Sequence, residues 1–252
     1  MTRYPSATPG DRERMLAEVG AGSIEDLFSE IPAGVRLGRP LELPDGKPES
    51  EVYETLAALA AAGTMAAPAV RKALPLLYPG TTAVVIGAGG LGHIGIQCLA
   101  ALTATNIIVV DRNPDALKLA SELGATETVV ADGKQVDAVK DLTNGEGADV
   151  VLDFVAEEGA ENEGFAMTRP GGSYFVIGYG GTLVVPTLDV ISTERNIIGN
   201  IVGTYNELAE LMVLAQAGKV TLHTKAYPLD AAQEALHDLD AGKVRGRAIL
   251  VP

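Results

Sequence analysis

The chain has 252 residues, is 47% hydrophobic and carries a formal net charge of −14 at pH 7. It is long enough for one large core, or for a domain with a smaller appendage, and its charge argues against nucleic acid or an anionic membrane as partner, because both would repel it. Its single cysteine, Cys98, excludes an internal disulfide and any multi-cysteine zinc site within the chain, while the absence of a long apolar run or an apolar leader points to a cytoplasmic protein.

The first 62 residues read differently from the rest. "YPSATPGDRERMLAEVG" offers Thr8 as a helix N-cap, Pro9 at the first helical position and acids in the first turn, with Gly20 or Gly22 as the stop. "GSIEDLFSEIP" repeats that logic. Ser23 is the cap, Asp26 takes the capping-box position, Ile24, Leu27, Phe28 and Ile31 share a face, and Pro32 ends the helix. "AGVRLGRPLELPDGKPES" is proline-rich and extended, and "EVYETLAALAAA" is a third, alanine-rich helix. The segment contains neither cysteine nor histidine, and no set of residues in it is equipped for catalysis. Through "RYPSATPGDRERML", "GSIEDLFSEIP" and "RLGRPLELPDGKPESEVYETL" it resembles the amino terminus of subunit 1 of the two-subunit glycine dehydrogenase (decarboxylating), the P-protein of the glycine cleavage system. That resemblance implies a helical assembly arm over residues 1–62, with no activity of its own and a possible protein partner.

From Gly63 onward strand-like and helix-like runs alternate: "AVVIG", "LGHIGIQCLAAL", "NIIVVD", "PDALKLASELG", "TETVV", "QVDAVKDLT", "ADVVLDFV", "NEGFAMT", "GSYFVIG". The strands are rich in Val and Ile on both faces, as buried parallel strands are. Their alternation with helices implies right-handed crossovers and an α/β, doubly wound parallel sheet over residues 63–252.

Gly87-Ala88-Gly89-Gly90-Leu91-Gly92 fits the G-x-G-x-x-G pattern between a strand and a helix. Gly87 permits the tight turn, Gly89 clears space where a pyrophosphate approaches the backbone, and Gly92 allows close packing of helix on sheet. The helix that follows offers free N–H groups and the positive end of its dipole to phosphate. Asp111 ends the next strand, 19 residues after Gly92, near the spacing of about 20 expected for a ribose-binding acid. A carboxylate there accepts from both ribose hydroxyls and repels a 2′-phosphate, which favours NAD over NADP. Arg112 follows directly and is placed to face such a phosphate, which tempers that preference.

The ordered set "AVVIGAGGLGHIGIQ", "VVDRNPDALKLASELGA", "GADVVLDFV", "RPGGSYFVIG", "ERNIIGNIVGT" and "AGKVRGRAILVP" resembles the coenzyme domain of the medium-chain, zinc-type alcohol dehydrogenases. The resemblance implies a Rossmann domain that binds NAD. Phe154 and Val155 would close over the cofactor, Ile177 and Gly178 would offer backbone groups to the nicotinamide carboxamide, and Arg247 would reach the pyrophosphate. It also implies self-association, with late strands such as "GTLVVP" pairing across a two-fold axis. His93 matches a position at the start of the phosphate-binding helix.

The electrophile for hydride transfer is not apparent in the sequence. In the resembled family a zinc ion stabilises the developing alkoxide. One of its ligand positions aligns with Ala62, which cannot bind metal, and the zinc-bearing catalytic domain has no counterpart here, so no zinc is expected. His93, His223 and His237 lack partners at metal-ligand spacing, and no tyrosine has a lysine four residues on, as a short-chain dehydrogenase would need. Cys98 reads as a packed core residue and Asp153 as the orderer of a neighbouring loop. Two accounts follow: an NAD-binding alcohol-dehydrogenase relative with little or no activity alone, or a non-catalytic NAD-binding or assembly protein. A third is that two unrelated fragments abut near Ala62.

Overall fold

The computed structural model describes residues 9–28 and 63–251. The chain divides into two compact units, Met1–Lys47 and Pro48–Pro252. In the first, helix α1 spans Pro9–Glu18, with proline at its first position as expected. Gly20 ends it in the left-handed region, at φ +71°, and the Ala21 N–H donates back to the Leu16 carbonyl at 2.9 Å. The Ser23–Asp26 capping box is present. The Ser23 N–H donates to Asp26 Oδ2 at 2.7 Å and the Asp26 N–H to Ser23 Oγ at 3.2 Å. It opens a 3₁₀ turn, Glu25–Phe28. The expected cap Thr8, the proline-rich stretch, the alanine-rich helix before residue 63 and Ala62 lie outside the described residues.

The second unit opens with helical residues 63–73 (α2). The alternation read from the sequence then appears as β1 (Thr82–Ile86), α3 (Gly92–Leu102), β2 (Asn106–Asp111), α4 (Pro114–Glu122), β3 (Glu127–Val130), α5 (Gln135–Leu142), β4 (Ala148–Asp153), α6 (Ala160–Met167) and β5 (Thr168–Val176). There follow α7 (Thr187–Thr193), β6 (Asn196–Gly199), α8 (Tyr205–Gln216), β7 (Thr224–Pro228), α9 (Ala232–Asp240) and β8 (Arg247–Val251). Strands β1 to β6 form a parallel sheet in the order β3-β2-β1-β4-β5-β6, and β7 and β8 form a separate parallel pair. The order reverses between β1 and β4, the crevice where doubly wound sheets bind ligands. The fold is Rossmann-like.

Alternation along the strands sends side chains to both faces. Ala83 and Val85 of β1 join Val109, Leu152 and Phe175 in a core closed by α2, α3 and α8. Val84 and Ile86 join Val110, Val151 and Tyr174 in a core on the other face, closed by α5 and α6. Each fully buried aliphatic contributes about 1.5–3 kcal/mol. Helix α3 is buried from Gly92 to Leu99, and its Gln97 fastens the carboxyl-terminal segment to it. Gln97 Nε2 donates to the Thr221 carbonyl at 2.9 Å, and the Thr221 N–H donates to Gln97 Oε1 at 2.7 Å. This tie brings Arg247 back over the start of α3.

One expectation changes. "GTLVVP" is irregular over residues 182–186 in the single chain, and the sheet edge is β6. The backbone of that segment finds other partners. The Val184 N–H donates to Asn162 Oδ1 at 2.9 Å, and Asn162 Nδ2 donates to the Thr182 carbonyl at 3.3 Å. Among the described residues no helix is long and apolar enough to cross a membrane.

Candidate cofactor site

The glycine turn lies at the switch point. Gly87 takes φ +86°, a conformation costly for any residue with a Cβ, and its N–H donates to the Val110 carbonyl at 2.8 Å. A Cβ at Gly92 would overlap the Gly87 carbonyl oxygen, and one at Gly95 would stand 2.7 Å from the Phe154 ring. Both glycines therefore serve the packing of helix on sheet. Gly89 differs: it is exposed, and a Cβ there would meet no heavy atom within 4 Å. No side chain caps α3 at Leu91, so the helix presents its amino-terminal dipole to this open space. Arg247 stands over the turn, with Nη1 3.5 Å from where a Gly90 Cβ would be.

Asp111 is held in place by the turn it serves. Its Oδ2 accepts from the Ala88 N–H at 2.7 Å, and its Oδ1 from the Asn113 N–H at 2.8 Å. Each oxygen keeps lone pairs for further donors. Asp111 and Arg112 line a cavity of about 380 Å³ with Gly87, Gly133, Val155, Glu157, Glu158 and Glu163. Arg112 Nη1 donates to Glu158 Oε2 at 2.6 Å.

The remaining expected residues gather at the ends of β4 and β5. The Phe154 N–H donates to the Ile86 carbonyl at 3.0 Å, and the Ile177 and Gly178 N–H groups both donate to the Asp153 carbonyl at 2.9 Å. These two amides are therefore engaged, which leaves carbonyl oxygens as the backbone groups that Ile177 and Gly178 can offer. Val155 packs beside Gly87, its Cγ2 2.6 Å from where a Cβ would lie. Of the expected residues, Gly87, Asp111, Arg112 and Val155 line one cavity, and Gly89 lines a neighbouring one with Gly246. Phe154 packs against α3 at Gly95, and Arg247 stands beside Gly90. The sequence reading missed Glu158 and the acidic wall beside it. "AEEGA", directly after the "VVLDFV" strand, is the signal that marks them.

Asp153 is fully buried. Its Oδ1 accepts from the Val155 and Ala156 N–H groups at 2.9 and 2.8 Å, and its Oδ2 from the Tyr174 hydroxyl at 2.7 Å. Burial pushes its carboxyl up, against the pull of these three donors. It orders the loop after β4, the role expected of it. His93 is also buried, with Nδ1 2.9 Å from the Gly89 carbonyl and Nε2 3.5 Å from the His223 N–H. Burial first, then the nearby His223 and Arg247 charges, lower it to about 4. Burial raises the Cys98 thiol to about 12, which makes it an inert core residue. His237 sits exposed on α9. Among the described residues there is no group of three or more His, Cys, Asp or Glu side chains that could hold a metal ion.

Residues 90–217 match the model of a family described as zinc-binding dehydrogenase. The chain belongs to that family. The NAD-dependent alcohol dehydrogenase of Sulfolobus acidocaldarius is 36% identical over 200 residues, which cover 78% of this chain and 57% of that protein. The D-arabinose 1-dehydrogenase (NADP(+)) of Saccharolobus solfataricus is 33% identical over 201 residues, 78% of this chain and 57% of that protein. The crystal structure of an alcohol dehydrogenase from Aeropyrum pernix superposes with a TM-score of 0.79 at 40% identity, covering 83% of this chain and 61% of that one. This family member therefore spans a little over half the length of the curated relatives it matches.

Proposed function

We propose that the chain binds NAD(H) as the coenzyme-binding part of an alcohol-dehydrogenase-type oxidoreductase, with little or no turnover of its own. The supporting observation is the convergence at the switch point. Gly89 opens onto space beside an uncapped helix N-terminus, Arg247 stands above it, and Asp111 is locked at the end of β2. These residues fit a dinucleotide. The helix end and Arg247 would hold the pyrophosphate, Asp111 would accept from the ribose hydroxyls, and Phe154 and Val155 would exclude water above the nicotinamide. When bound, NAD would supply the hydride acceptor. Weak catalysis by this chain alone rests on Ala62, at the position that aligns with a zinc ligand of the resembled family.

Residues 63–252 form the coenzyme domain in this proposal. Residues 1–62 serve as an assembly arm related to the glycine dehydrogenase segment, and the protein acts in the cytoplasm as a homo-oligomer. In a second reading the same site binds NAD in a purely structural or assembly role. Titration with NADH tests the shared claim. The chain has no tryptophan, so cofactor fluorescence is free of indole background. Saturable enhancement is expected, and Asp111→Ala weakens it by about tenfold, the loss of one charge-assisted contact. An unsaturable, Asp111-independent signal would refute both readings. Turnover of NADH with simple aldehydes, with and without added zinc, separates them.

A further inference from the structure

We propose that Glu158 sets the coenzyme preference of this site by holding Arg112 away from the position a 2′-phosphate would take. The inference rests on the NAD reading above and deepens it. Asp111 alone leaves the preference open, because the adjacent Arg112 could swing to a phosphate on the ribose and offset the carboxylate's repulsion. The structure shows Arg112 already engaged, its Nη1 donating to Glu158 Oε2 at 2.6 Å across 46 residues of sequence. Both side chains are about two-thirds exposed, at 70% and 68%. An ion pair so exposed contributes little to folding, and both of its partners line the cavity beside Asp111.

The loop that carries Glu158 is built to place it there. Ala156 and Glu158 both adopt left-handed backbone conformations, at φ +47° and +54°, which side-chain-bearing residues rarely take. The buried Asp153 carboxylate holds the root of that loop through the Val155 and Ala156 N–H groups. Glu158 then shares the cavity wall with Asp111, Glu157 and Glu163, and Glu163 is turned toward Gln135, whose Nε2 donates to it at 2.6 Å. A 2′-phosphate, with about two negative charges at neutral pH, would enter a wall of carboxylates whose adjacent cation is taken. The ribose hydroxyls of NAD carry no charge and need only the acceptor that Asp111 provides.

The full chain is titrated with NADH and with NADPH by cofactor fluorescence, and the ratio of the two Kd values is read. In Glu158→Gln the ratio should move toward NADPH by up to about fivefold, the most that release of so exposed an ion pair can give. Glu158→Ala repeats the measurement. Glu163→Gln removes equal charge from the same wall without releasing Arg112 and should move the ratio far less. In an Arg112→Ala background, Glu158→Gln should move the ratio no more than Glu163→Gln does. The inference fails if Glu158→Gln leaves the ratio at its native value, if Glu163→Gln shifts it equally, or if the full shift survives in the Arg112→Ala background. Native protein that binds neither nucleotide overturns the NAD reading and this inference with it. Native protein that binds NADH while its Glu158 variants leave the ratio unmoved overturns the role of Glu158 alone.

Discussion

The Tyr174 hydroxyl donates to Asp153 Oδ2 at 2.7 Å with both residues fully buried, so β5 holds the carboxylate that in turn shapes the loop after β4. That loop carries Phe154, Val155 and Glu158 to the crevice. A core contact in one strand pair therefore fixes residues of the proposed cofactor site.

Replacing Asp153 by alanine should destabilise the protein by about 3 kcal/mol, because a buried hydroxyl and two backbone N–H groups lose their acceptor. Asn keeps an acceptor for the amides and should be milder. The pH dependence has a definite sign. Burial raises the folded-state carboxyl above its ordinary 3.8, so the folded state holds the proton more tightly than the unfolded chain. Its stabilising contribution is present below the unfolded value and is lost as pH rises through the raised folded one. Urea unfolding followed across that window should show stability falling more steeply with rising pH in the native protein than in Asp153→Asn. Parallel curves would show that this carboxyl ionises as it does in the unfolded chain.

His93 works in the opposite sense. Its folded-state value of about 4 lies below the ordinary 6.5, so the unfolded chain takes up the proton first. The contribution is complete above 6.5 and is lost as pH falls toward 4, amounting to about 3 kcal/mol over that span. His93→Gln should flatten this part of the stability profile. An unchanged slope would mean that the ring is protonated inside the fold.

The coenzyme domain should self-associate. Strand β6 forms a sheet edge, and in the segment that leads into it Val184, Leu188 and Ile191 are each more than 70% exposed. Exposed apolar side chains together with an unpaired sheet edge favour a second copy. Light scattering at micromolar protein should give at least a dimer mass, and joint Leu188→Glu and Ile191→Glu substitution should reduce it to a monomer. A monomeric native protein contradicts this.

Much of the sheet, and the placing of the glycine turn and Asp111 at the ends of β1 and β2, were legible in the sequence, because they rest on short-range regularities. The Val/Ile runs mark buried strands, and the interval from Gly92 to Asp111 fits one strand–helix–strand unit. What was not legible depends on pairs far apart in the chain. Arg112 meets Glu158, His93 meets the backbone of His223, and Asn162 satisfies the "GTLVVP" segment so that it remains irregular. Local pattern carries no information about such partners. The turn toward Glu158 also depends on left-handed backbone at Ala156 and Glu158, where residue type predicts the reverse.

The glycines of the turn separate packing from binding. A Cβ at Gly92 would overlap the Gly87 carbonyl oxygen, which is backbone and has little room to yield, whereas one at Gly89 would meet nothing within 4 Å. Gly92→Ala should therefore displace α3 from the sheet, destabilise the protein by about 2 kcal/mol or more as overpacked sites do, and weaken NADH binding along with the fold. Gly89→Ala should leave the unfolding midpoint within about 0.5 kcal/mol of native, the range of an exposed substitution, yet reduce NADH affinity by about tenfold or more, because the methyl group would occupy the space reserved for the pyrophosphate. Chemical unfolding and NADH titration on both variants make the comparison. If Gly89→Ala binds NADH as the native protein does, the open space at Gly89 is not where the phosphates lie, and the cofactor would have to enter the crevice by another path.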